Sequence, residues 1–94
     1  MIDIDKVAII QDRTKKKFLR KQKRYLKTID REIKKIAKKG GTTWEIDISS
    51  KPFFTSTYID NIIEKYKELG FEAGKYVFML ESYLFIKWSE MEGI

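Results

Sequence analysis

The sequence predicts an α+β fold, with a long N-terminal basic amphipathic helix followed by a β-α-β-β unit that forms a small three-stranded mixed sheet. Three observations lead there. Apolar residues recur at helical spacing before Gly40 and again between Thr55 and Gly70, apolar and polar residues alternate at Thr42 to Ile48 and on both sides of Glu81, and glycines or a proline punctuate the joins. At 94 residues the chain is one domain, divided into the helix at 1–39 and the β-α-β-β unit at 42–88.

The first helix is expected from about Asp3 to Lys39. Asp3 or Asp5 suits its N-terminus, where a carboxylate meets orphan N–H groups and the positive end of the helix dipole. Ile4, Val7 and Ala8 open an apolar stripe that Phe18, Tyr25, Leu26, Ile29, Ile33 and Ile36 continue. Between them Gln11 to Lys17 is crowded with charge, so a bend or fraying near Thr14 is expected. Opposite the stripe fall Lys16, Arg20, Lys23, Arg24, Lys27, Arg31, Lys34 and Lys38. Arg13 to Lys39 holds fourteen of the twenty basic residues, so the charge is gathered on one element. From Lys16 to Lys38 that face runs roughly 33 Å at about 1.5 Å per residue, long enough to follow a phosphate backbone. Gly40 and Gly41 end the helix.

Trp44, Ile46 and Ile48 alternate with Glu45 and Asp47 in a half-buried strand. After the Ser49 to Pro52 loop, Thr55, Ser56 and Thr57 offer N-caps to a second helix. Its apolar positions, Ile59, Ile62, Ile63, Tyr66 and Leu69, keep 3.6 spacing until Gly70. A hairpin follows: Lys75 to Leu80, a turn at Glu81-Ser82, then Tyr83 to Trp88. Val77 and Met79 would share a face with Leu84, Ile86 and Trp88, leaving Tyr76, Phe78, Tyr83 and Phe85 on the other. The turn lacks an Asn-Gly or Asp-Gly signature, so its register is open by a residue. Ser89 to Ile94 reads as a short tail.

A strand, crossover helix and strand most often make a right-handed parallel unit, with the third strand folding back antiparallel. The second helix covers one face of such a sheet. The aromatic face of Tyr76, Phe78, Tyr83 and Phe85 then needs a cover, supplied either by the first helix or by a second subunit in a homo-oligomer.

The net charge of +6 and pI near 9.5 point to an anionic partner, nucleic acid or an acidic protein surface. A solvated amphipathic face accounts for the same residues. Lysines outnumber arginines, and Gln22 is the one residue among them suited to base-edge hydrogen bonds, so phosphate contacts without base readout are expected. Absence of cysteine fits a reducing, cytoplasmic setting, and no apolar run is long enough to span a membrane. The four aromatics could stack single-stranded bases, but the glycine-rich signature of RNA-binding sheets is missing.

Catalytic chemistry is poorly supplied. There is no histidine, so the commonest general base is missing. Glu45 and Asp47 share a strand face and could hold a divalent ion, although a wet outer face explains them as well. No enzyme and no cofactor are expected. Ser49, Ser50, Lys51, Thr55, Ser56 and Thr57 gather hydroxyls and an ammonium before a helix N-terminus, where a phosphate or nucleotide would sit; ordinary capping explains them too, and the Walker spacing is absent.

The segments KKGGTTWEIDI, YKELGF and YLFIKW, in this order, resemble a pattern in small proteins of tailed bacteriophages. It covers roughly Lys38 to Trp88 and consists of a strand start, a helix C-cap and an edge-strand aromatic. The resemblance implies a phage accessory protein acting in the host cytoplasm, a class rich in non-enzymatic inhibitors of host machinery or defence and in small oligomeric binders. It carries over no functional residue, and the aromatic segment before Tyr83 departs from it. Two functions are therefore expected: a binder of an anionic partner through the basic helix face, with nucleic acid preferred, or an anti-defence or host-takeover inhibitor that binds a host protein or sequesters a nucleotide.

Overall fold

The structure, a computed structural model, describes residues 2–89. The elements are α1 (Ile4–Lys38), β1 (Thr43–Asp47), α2 (Ser56–Glu68), β2 (Glu72–Phe78) and β3 (Glu81–Lys87). The expected tail lies mostly outside the described residues.

Asp3 caps α1, its Oδ1 accepting from the Lys6 N–H at 2.9 Å. The bend expected near Thr14 does not interrupt the helix. The Thr14 hydroxyl donates to the Ile10 carbonyl at 2.9 Å, turning a weak helix former back onto its own backbone. Both helices end in the same motif. In α1 the Gly41 N–H donates to Ile36 O and the Gly40 N–H to Ala37 O, with Gly40 at φ +83°. In α2 the Phe71 N–H donates to Tyr66 O and the Gly70 N–H to Lys67 O, with Gly70 at φ +94°. The Phe71 ring meets Tyr66 edge-on at 5.6 Å, the apolar contact that accompanies such a cap.

The sheet order is β1-β3-β2, and both pairings are antiparallel. This corrects the expected mixed sheet. β1 and β2 do run the same way, but β3 inserts between them. Leu84 and Ile86 of β3 are fully buried, so the strand richest in core contacts takes the centre, where it is paired on both sides.

The hairpin turn also lies elsewhere, at Met79-Leu80 rather than Glu81-Ser82. Both turn residues have positive φ, 48° and 69°, the sense of twist that two-residue hairpins require. Moving the turn by two residues preserves the faces. Tyr76 now pairs with Tyr83 and Gly74 with Phe85. Val77 and Met79 leave the core: Val77 is exposed near the hairpin end and Met79 forms the turn.

Both helices pack on the same side of the sheet. Ile29 and Ile33 of α1 and Tyr58, Ile59, Ile62 and Tyr66 of α2 meet Trp44, Ala73, Leu84 and Ile86. The first helix therefore does not cover the aromatic face. The buried part of its stripe, Ile29 and Ile33, instead joins Trp44, Ile48 and Phe54 in the core cluster on the α2 side.

Four side-chain hydrogen bonds tie α1 to the body, all from Gln22 onward. Gln22 Nε2 donates to Phe53 O (2.8 Å), Tyr58 OH to Gln22 O (2.8 Å), Trp44 Nε1 to Glu32 (2.6 Å) and Tyr66 OH to Asp30 (2.5 Å). The N-terminal half extends past the body as an arm, which gives the molecule extents of 65 × 28 × 21 Å.

Candidate anion-binding helix and open sheet face

Lys16, Arg20, Lys23, Arg24, Lys27, Arg31, Lys34 and Lys38 are all exposed on α1. One ion pair is made among them within the described residues, Lys16 to Asp12 at 3.3 Å, an exposed i, i+4 contact of little energetic weight. Gln22 is not available to read bases, because its amide is engaged by the Phe53 carbonyl. The helix thus offers ammonium and guanidinium groups and no positioned base reader.

On the other side of the molecule the sheet face is bare and carries the opposite charge. Glu45, Asp47, Glu72 and Glu81 lie there with Lys87 as the basic member, in the register that puts Tyr76, Phe78, Tyr83 and Phe85 on that face. Tyr76 and Tyr83 stack with centroids 5.2 Å apart, and Lys87 Nζ lies 5.2 Å from the Phe85 ring. Phe85 lies over Gly74, where a Cβ would come within 2.8 Å of its Cζ. The Tyr83 hydroxyl donates to Glu81 at 2.6 Å and that of Tyr76 to Glu45. Those bonds are the main reason both phenols are pushed up, Tyr83 to about 12. Four carboxylates around the rings repel phosphates, so base stacking on this face is disfavoured. Glu45 is thereby committed to Tyr76, and Asp47 Oδ1 accepts from the Ser49 N–H at 2.8 Å.

The hairpin end is apolar. Val77, Phe78, Met79 and Leu80 are exposed, Leu80 almost wholly, at 99%. Nothing in the alternating pattern marks this tip, because these residues resemble core positions until the turn is placed.

The structure divides the loop residues singled out for phosphate. Ser49 Oγ accepts from the Ser82 N–H at 2.8 Å, and Thr55 Oγ1 caps α2 by accepting from the Tyr58 N–H at 3.3 Å. Lys51 Nζ lies 6.0 Å from the Tyr25 ring. Ser50, Ser56 and Thr57 are exposed, with Thr57 beside α1 at a cleft of about 690 Å³ between the two helices. Asp30 and Glu32, which fasten α1 to α2 and β1, escaped the sequence reading because a charged residue on a basic helix looks like surface.

By architecture this is a two-layer α+β protein with both helices on one face of an antiparallel sheet. Compared with protein-family models, curated proteins and solved structures, the chain matches none. No helix of the described residues is long and apolar enough to cross a membrane.

Proposed function

We propose that this protein binds rather than catalyses, and that its partner is a polyanion, nucleic acid in the first place, held along the basic face of α1. The observation that carries this reading is the separation of charge. Exposed cations line α1 while carboxylates collect on the open sheet face, so the molecule presents one side to a phosphate backbone. With Gln22 occupied, contacts go to phosphates, and affinity is insensitive to base sequence.

Fluorescence anisotropy with duplex and single-stranded oligonucleotides over a salt series tests it. Each phosphate neutralised on a duplex contributes about 0.9 to the slope of log affinity against log salt. Replacing Lys16, Arg20, Lys23 and Lys27 by alanine should remove binding equally from all sequences. No binding at low salt ends this reading.

The bare sheet face supports a second one, an inhibitor that docks on a basic protein surface, as fits a phage accessory protein acting on host machinery or defence. Tyr83 and Phe85 supply aromatic area and Glu45, Asp47 and Glu81 a carboxylate rim. Here the four alanines on α1 leave activity intact, whereas Tyr83→Ala or Phe85→Ala removes it.

A further inference from the structure

Two sets of charge in this chain lack a counterpart. Glu45, Asp47, Glu72 and Glu81 lie on the open sheet face. The ion pairs among the described residues are Lys16 with Asp12 and Lys75 with Asp60, so no cation pairs with any of these four. Residues 13–24 hold eight basic residues and no acid, and of the eight only Lys16 is paired. The two sets cannot meet inside one copy. Both helices pack on the far side of the sheet, and the basic face of α1 lies opposite its buried Ile29 and Ile33, turned further away.

The sheet face is the uncovered side of a two-layer fold, and Tyr76 and Phe78 stand 40% and 58% exposed on it. Its chemistry suits long basic side chains. Such a chain lays its apolar stem along a ring and keeps its charged head among carboxylates, and Lys87 Nζ already lies 5.2 Å from the Phe85 ring. The dimensions agree as well. Residues 13–24 span about 17 Å of helix at 1.5 Å per residue, and the seven-residue strands β2 and β3 run about 23 Å at 3.3 Å per residue. The arm is also within reach of a neighbour. Its residues before Gln22 make no side-chain hydrogen bond to the body among the described residues, and their projection gives the molecule its 65 Å length. Charge, length and reach are thus matched within the chain itself. We infer that the sheet face of one copy receives the basic face of the α1 arm, about Arg13 to Arg24, of a second copy. The contact joins unlike surfaces, so it runs head to tail and either closes into a ring or extends. It rests on the reading of the sheet face as a dock for a basic protein, and names that protein; polyanion binding by α1 stands or falls separately.

Light scattering of the full chain at low salt, after nuclease treatment, tests it. The expected mass is at least twice the 11.2 kDa of one chain, falling to a single chain as salt screens the contact. An arm variant, Arg13→Ala with Arg20→Ala, Lys23→Ala and Arg24→Ala, should give a single chain. A face variant, Glu45→Gln with Glu72→Gln and Glu81→Gln, should do the same. All of these side chains are exposed, and glutamine keeps an acceptor for the Tyr76 and Tyr83 hydroxyls. The near-ultraviolet circular dichroism of buried Trp44 should therefore persist in both. Mixed in equal amounts, the two variants should form a dimer and nothing larger, because each pair retains one intact arm and one intact face. Mixing would not restore a contact between like surfaces. A wild type that stays a single chain at low salt, either variant keeping the wild-type mass, or a mixture that stays at one chain would each overturn the inference. Docking on another basic protein is read separately, by the loss of activity in Tyr83→Ala or Phe85→Ala.

Discussion

The Tyr66 hydroxyl donates to the Asp30 carboxylate at 2.5 Å, joining the C-terminal turns of α2 to the C-terminal third of α1. Tyr66 is almost completely buried, so its hydroxyl needs a partner, whereas Asp30 is exposed and can turn to water. Removing the donor therefore forfeits a charge-assisted bond without stranding a buried charge. Tyr66→Phe should cost about 1.5 kcal/mol, the low end for hydrogen bonds to charged groups. A urea midpoint that falls with unchanged slope is the expected signature.

Alkaline pH should loosen the same core. Burial is the foremost cause that pushes Tyr25 and Tyr58 up to about 12, and burial followed by the Asp30 bond raises Tyr66 further. A phenol whose folded pKa lies above its unfolded value of 10.0 favours the folded state while neutral. That contribution is complete below pH 10.0 and declines as pH rises toward about 12. Tyrosinate absorbance should show a late step coincident with loss of the Trp44 near-ultraviolet signal. Ionisation of all five tyrosines near the ordinary value with the fold intact would contradict this.

Much of the architecture is legible in the sequence. The helix ends are carried by local chemistry: Gly40 and Gly70 are the left-handed stops the pattern marks, and Asp3 and Thr55 are the caps among the alternatives it offers, Asp3 or Asp5 and Thr55, Ser56 or Thr57. Strand order is not local. Burial of Leu84 and Ile86 on a central strand decides it, and alternation alone gives β3 no priority over β2. The turn was hidden because Met79 and Leu80 are poor left-handed residues that continue an apolar run. The basic residues of α1 could be placed on a face from their spacing, while the acidic surround of Tyr76 and Tyr83 emerged only from the pairing of β1 with β3.

That turn should be open to improvement. Each non-glycine residue in the left-handed region costs about 1–2 kcal/mol, and the exposed Met79 and Leu80 offset it with no burial. Met79→Asn with Leu80→Gly supplies the residues a two-residue hairpin prefers. The double variant should gain about 1–2 kcal/mol in denaturant unfolding. If the hairpin end takes part in docking on a protein, the stabilised variant should bind that protein less well.

Gly40 and Gly41 are adjacent and serve different ends. Gly40 has φ +83° with open space around it, so Gly40→Ala meets only backbone strain, about 1 kcal/mol. At Gly41 the backbone lies against Ile36. A Cβ there would fall 2.4 Å from Ile36 Cγ2 and 3.2 Å from the Ile36 carbonyl oxygen, which accepts the Gly41 N–H. Ile36 is half-buried and stiff at χ1, so its methyl cannot swing away without moving the core edge. Gly41→Ala should therefore cost more, in the range of about 1–3 kcal/mol that overpacking brings. Trimming Ile36 to alanine should reduce the cost of the Gly41 change and leave that of the Gly40 change as it was, a coupling that a double-mutant cycle reads directly.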